Sequence, residues 1–220
     1  MPSDHHTAIG LGFLGVCGEH TVNFLLHHAA DEVPEGPVRH RSTAAKGLLA
    51  QAAAWVGELC PGVDIQAAAI DGTDVVRLSY GFAGSNGTRR RPTNAGFGLT
   101  YALPIVVACL TARPGSLVLL ENPEAYLHPQ GQTRMAGLAA AAAAQGAQLV
   151  VETHSDHVLN GVRLAVKRGL TPDQAVLHYF RGKGEAADVV SPSIDRDGRL
   201  DQWPEGFFDE LENTLEQLLS

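Results

Sequence analysis

The residues able to do chemistry gather in three short stretches. Glu121-Asn122-Pro123-Glu124 follows the apolar run Leu117-Val118-Leu119-Leu120, and Glu152-Thr153-His154-Ser155-Asp156 follows Leu149-Val150-Val151. Carboxylates supply the oxygen ligands that a hard divalent cation takes, and an imidazole can exchange a proton near neutral pH. The third stretch, Asn94-Ala95-Gly96-Phe97-Gly98-Leu99-Thr100, runs into an apolar helical segment. Its glycines let backbone approach a ligand closely, Thr100 is a candidate helix cap, and the free amides at such a helix start favour a phosphate group. Each stretch alone has a plainer reading, in which Ser155 and Asp156, for example, only cap a following helix. Two polar clusters at equivalent strand ends weigh against that reading.

These groups need elements to hold them. The apolar spacing predicts helices over residues 21–29, 43–59, 100–112, 130–144 and 155–168. Strand-like runs cover residues 64–70 and 75–80, joined by the turn pair Asp71-Gly72, and residues 116–120 and 148–151. Residues 81–92 read as a polar loop ending in Arg89, Arg90 and Arg91, a solvated basic loop with phosphate contact as the alternative. Further strands are expected at 176–180 and 189–194. The Asp195-Arg196-Asp197-Gly198 turn then leads to a last helix with Phe207, Phe208, Leu211, Leu215 and Leu218 on one face. Two continuous apolar strands alternating with helices indicate parallel strands buried on both faces. In such sheets ligands bind beyond the carboxyl ends of the strands, where both acidic clusters fall. One α/β domain is expected, with an irregular amino-terminal portion at 1–93 and a carboxyl-terminal lobe at 94–220.

The chain has 220 residues, 45% apolar and 18% charged, enough for one full core. A net charge of −8 argues against broad nucleic-acid binding by this chain, so nucleic acid is expected only indirectly. Cys17, Cys60 and Cys109 are odd in number and lie among apolar residues, which fits a reducing cytoplasm better than a disulfide framework. No run approaches the roughly 18 apolar residues that cross a bilayer, so no membrane association is expected. His5, His6, His27 and His28 lack the cysteine or carboxylate spacing of a metal site.

Taken together, the three stretches resemble a known family. Residues 94–110 are similar to the signature segment of ABC/SMC-like predicted ATPases of the AAA type, related to OLD-type and anti-phage defence ATPases. Residues 117–129 (LVLLENPEAYLHP) resemble their Walker B strand, and residues 152–156 (ETHSD) their switch-histidine motif. Residues 203–210 (WPEGFFDE) are similar to the closing segment of one branch. The resemblance implies the carboxyl-terminal lobe of a P-loop NTPase, a mostly parallel sheet flanked by helices, with ATP and Mg²⁺ as cofactors. It places Glu121 at the Walker B acid that holds Mg²⁺, and His154 as the sensor of the γ-phosphate or attacking water. Gly96, Gly98 and Thr100 would meet the γ-phosphate held by a second subunit in a head-to-tail dimer. His128 is read as a structural turn residue.

Two departures qualify the implied activity. The catalytic Glu that often follows the Walker B acid is Asn122 here, and a neutral amide is no general base. Asn122 can orient water, and Glu124 is the substitute base if geometry permits. Nor does any stretch show two glycines five apart followed by Lys and Ser/Thr; Lys46, Lys167 and Lys183 are the only lysines, and the glycine-rich residues 10–18 contain none. The expectation is therefore the second half of a longer ATPase, as a split subunit, a truncated product or a degenerate paralogue, whose P-loop comes from another chain or a missing segment. A catalytically lapsed interaction module is the first alternative. A metal-dependent hydrolase or nuclease using Glu121, Glu124, His154 and Asp156 is the second.

Overall fold

The computed structural model describes residues 14–73, 75–182 and 188–219; His5, His6, Gly10 and Lys183 lie outside them. The helices are α1 (Thr21–His27), α2 (Leu48–Leu59), α3 (Phe97–Thr111), α4 (Pro129–Ala144), α5 (Asp156–Lys167) and α6 (Glu210–Leu219). The strands are β1 (Val63–Ala69), β2 (Val76–Phe82), β3 (Arg89–Arg90), β4 (Leu117–Glu121), β5 (Gln148–Glu152), β6 (Tyr179–Arg181) and β7 (Asp188–Val190). Among the described residues parallel pairing is confined to β4–β5, while β1-β2-β3 and β6-β7 pair antiparallel. The chain is thus α/β, with a parallel sheet flanked by helices.

The main core is largely helical. Leu99, Ala102, Leu103, Val106, Val107 and Leu110 recur every three or four residues along α3, so one stripe of that helix meets α1, α2 and α4. Leu25, Val56 and Leu138 join this cluster, as do Ile65, Leu78 and Tyr80 from β1 and β2, and burying each such large apolar side chain stabilises by about 1.5–3 kcal/mol. Gln51 is buried on α2 yet satisfied, since its Oε1 accepts the His40 N–H and its Nε2 donates to the Ala45 carbonyl. A second, smaller cluster joins Ala140, Val166, Leu170 and Ile194. Between these cores α4 crosses α5 closely. A Cβ on Gly161 would stand 2.5 Å from the Ala136 methyl and 2.6 Å from the Thr133 carbonyl oxygen.

Three expectations need correction. Residues 81–92 are not all loop, because Arg89 and Arg90 pair with Gly81 and Tyr80 as a third strand. Arg89 is bound there to Asp64 at 2.9 Å, and Arg90 lies over the Phe82 ring, so these two cations already have partners. The last helix begins only at Glu210 and buries none of its residues, leaving Phe207 and Phe208 in the turn before it. The strands β4 and β5 are not buried on both faces. Leu120, Val118 and Leu149 face the helices, but the opposite face of the sheet leaves Leu119 71%, Leu117 60% and Val150 53% exposed.

Candidate nucleotide-responsive rim

Continuous apolar runs too short for helices make β4 and β5 pair in parallel, with Leu117 opposite Gln148 and Glu121 opposite Glu152. Both strands therefore end at the same level. Opposite residues of a sheet share a face, and neighbouring strands lie about 4.8 Å apart, so the Glu121 and Glu152 side chains leave the same face of the sheet from adjacent positions. The Asn122 N–H donates to the Glu152 carbonyl at 2.9 Å, continuing the ladder one residue further. The chain then turns sharply, with Asn122 at φ 44° and Tyr126 at φ 62°. Asn tolerates that region, whereas an aromatic residue there is strained.

The turn after β4 is tied to the segment after β5 by two bridges. Glu124 Oε1 accepts the His154 N–H at 3.1 Å, while its Oε2 is buried without a donor. Gln132, in the first turn of α4, donates from Nε2 to the Leu127 carbonyl at 2.9 Å and accepts the Ser155 hydroxyl at 2.6 Å. That hydroxyl in turn accepts from the backbone N–H groups of His157 and Val158, so Ser155 caps α5 as its type suggests. Asp156 lies 3.7 Å from the neighbouring His157. The rings of His154 and His128 are exposed, and His128 holds the N-cap position of α4 without a side-chain capping bond.

The glycine-rich stretch approaches this turn. Helix α3 starts at Phe97 with Gly96 at the cap position (φ 89°), so Thr100 is not its cap but lies in the first turn. The error follows from reading Gly98 as loop. Gly98 is required by contact instead, since a Cβ there would meet the Tyr126 carbonyl oxygen at 2.6 Å. Phe97 and Tyr101 stack around the Tyr126 ring at 5.8 and 5.2 Å, all three exposed. Thr100 is the polar neighbour of the buried Tyr80 phenol, which lacks a well-formed hydrogen bond and is pushed up to about 12, chiefly by burial.

Sequence reasoning missed Gln132, and it named Glu152 within its cluster without giving it a role. That role could have been found by aligning the two strand ends; Gln132 carries no motif, and only the fold reveals its reach. Among the described residues no three His, Cys, Asp or Glu side chains converge as a metal cage, and Glu121, Glu124, His154 and Asp156 are not brought together as one. Two adjacent carboxylates do fit Mg²⁺, which takes one or two protein oxygens and fills its shell with water and phosphate.

The same fold occurs in solved structures of SMC heads. One structure, from work on ATP-driven dimerization and DNA-stimulated activation of SMC ATPases, is 13% identical with a TM-score of 0.52, covering 79% of this chain and 91% of its own. Another, an SMC head bound to the C-winged helix domain of ScpA, is 15% identical with a TM-score of 0.51, covering 67% of this chain. The chain spans only 43% of that second protein. No curated protein matches the sequence. Residues 170–218 match a family described as protein of unknown function, DUF3696. Residues 20–160, which contain β4, β5 and every rim residue named above, match the family described as AAA domain, putative AbiEii toxin, Type IV TA system. The chain belongs to that AAA-domain family and has the fold of an SMC-type ATPase head.

Proposed function

We propose that this chain is the signature, Walker B and switch portion of an ABC/SMC-like ATPase, responding to ATP–Mg²⁺ when another chain or segment supplies the P-loop. The observation that carries this reading is the β4–β5 pair itself. Its rim gathers Glu121, Asn122, Glu124, Glu152 and His154, while its outer face leaves Leu117, Leu119 and Val150 bare. An apolar face of this kind is suited to a covering layer, and the P-loop element would form part of it.

Within that assembly Glu121 and Glu152 would hold Mg²⁺, which neutralises phosphate charge when bound. His154 is exposed at the rim with its peptide held by Glu124, and in this reading it would donate to a γ-phosphate or an attacking water. Glu124 is thus a positioning group as well as a candidate base, and Asn122 orients rather than deprotonates water. Gly96 and Thr100 would face the phosphate held by a second subunit in a head-to-tail dimer, with Gly98 admitting the Tyr126 backbone beside them. The setting we infer is a cytoplasmic DNA-transaction or anti-phage defence complex, consistent with the DNA-stimulated, dimerizing SMC ATPases of similar fold.

A second reading, an interaction module with lapsed hydrolysis, draws on Asn122 at the position where a general base is expected. Calorimetric titration of ATP–Mg²⁺ into the purified chain tests the dependence, with Glu121→Gln and His154→Ala beside it. Absence of binding by the chain alone is the expected outcome. Micromolar binding abolished in both variants would overturn the need for an outside P-loop.

A further inference from the structure

Away from the rim, His40, Ser42, Glu58 and Arg134 line an open surface depression of about 410 Å³ between the segment preceding α2, α2 itself and α4. The His40 ring links two of them. Its Nε2 lies 2.5 Å from Glu58 Oε2, and its Nδ1 lies 2.7 Å from the Ser42 hydroxyl, with the Ser42 N–H 3.2 Å from the same nitrogen. The ring is held rigidly. Its side chain is 9% exposed, it packs edge-on against Trp55 at 4.9 Å, and the Trp55 Nε1–H is fixed on the Val38 carbonyl. The His40 N–H donates to buried Gln51. Arg134 donates to the Glu58 backbone carbonyl and stands 3.7 Å from Glu58 Oε1, so the carboxylate too is anchored. Ser42 is exposed on the depression side of this arrangement.

A hydroxyl on one ring nitrogen and a carboxylate on the other is the arrangement that activates a serine, and such sites are recognised by geometry rather than by sequence order. We propose that Ser42 is a His40-activated nucleophile that accepts the acyl group of a small carboxylic ester bound in this depression.

The geometry sets the proton path. With its proton on Nε2 and donated to Glu58, the ring offers the Nδ1 lone pair to the Ser42 hydroxyl. Oγ attacks the ester carbonyl as its proton passes to Nδ1, and Glu58 stabilises the resulting imidazolium. The guanidinium of Arg134, in the same wall, offsets the negative charge of the tetrahedral oxygen. The carbon–oxygen bond to the leaving alcohol breaks, and that alcohol takes the proton from Nδ1. Water then attacks acyl-Ser42 by the same route, its proton passing through Nδ1 back to Oγ, and a carboxylic acid leaves.

The test is covalent capture. The purified chain is incubated with a fluorophosphonate probe, and separately with p-nitrophenyl acetate, then read by intact mass and peptide mapping. A single adduct on Ser42 is expected, absent from Ser42→Ala and formed roughly 100-fold more slowly in His40→Gln, the scale of a lost general base. Glu58→Gln should slow it as well while leaving Ser42 the only labelled serine. No adduct on Ser42, or an equal rate in a folded His40→Gln, overturns the proposal. Thermal melts accompany each variant. Should His40→Gln fail to fold, the comparison with Ser42→Ala, altered only at an exposed hydroxyl, still decides the matter.

Discussion

Gly161 and Gly137 both sit inside long helices, and the structure separates their fates. Replacing a helix-interior glycine by alanine gains about 1 kcal/mol from backbone propensity alone. At Gly137 on α4 the added methyl would meet nothing within 4 Å, so that gain should appear undiminished. At Gly161 on α5 the same methyl would stand 2.5 Å from Ala136 Cβ and 2.6 Å from the Thr133 carbonyl oxygen. A carbonyl oxygen of a packed helix cannot rotate away, so α4 and α5 must separate, at the roughly 1–3 kcal/mol that overpacking costs. The net expectation is a loss of up to about 2 kcal/mol for Gly161→Ala against a gain of about 1 kcal/mol for Gly137→Ala. For a chain of this size those values correspond to about 2–4 °C in Tm per kcal/mol, in opposite directions. Urea denaturation followed by far-ultraviolet circular dichroism gives both numbers. Should Gly161→Ala stabilise as much as Gly137→Ala, the close α4–α5 crossing and its hold on the rim would be refuted.

Other expectations are shorter. Ser155→Ala removes the α5 cap and strands Gln132 Oε1, so it should cost about 1–2 kcal/mol in urea melts, and Ser155→Asp should recover part of that through the backbone amides. Tyr80→Phe deletes a buried hydroxyl that lacks a well-formed hydrogen bond and should be neutral or stabilising. Because burial holds that phenol at about 12, above the roughly 10 of an unfolded chain, its contribution is complete below pH ~10 and fades as pH rises toward 12. The urea midpoint of the parent should therefore fall more steeply than that of Tyr80→Phe across this window, and equal slopes would contradict the assignment. A disulfide-exchange reagent should modify exposed Cys17 in the native chain, Cys60 slowly, and Cys109, fully buried with its thiol pushed up to about 12, only on unfolding. Leu119→Lys should alter stability by less than about 0.5 kcal/mol while reducing dye binding by exposed apolar surface.

The strands β4 and β5 were readable because their apolar runs are continuous, short and bounded by polar clusters, and the rim followed from where those runs stop. The burial of their second face was not readable. Leu119 and Val150 are as apolar as any core residue, and composition cannot say whether a covering layer lies nearby. The start of α3 was misplaced because Gly96 and Gly98 look alike in sequence. One adopts φ 89° as a cap, while the other yields space to the Tyr126 carbonyl within the helix. Gln132 and the His40–Ser42–Glu58 set escaped because their partners lie far apart in sequence or need a particular turn. The small β6–β7 pair was anticipated in kind, with shorter strands than the apolar runs suggested.

The bare face of β4–β5 has a cellular consequence. Among the described residues this two-stranded sheet has no further strand on either edge, and one side presents Leu117, Leu119 and Val150 to water. Such surfaces are what chaperones hold and proteases degrade, and they seed edge-to-edge aggregation when neither intervenes. Abundance of the chain should then follow the supply of whatever covers that face rather than its own rate of synthesis, making the sheet a gauge of stoichiometry. A pulse-chase measurement, with and without the covering element, would read that dependence directly as a half-life.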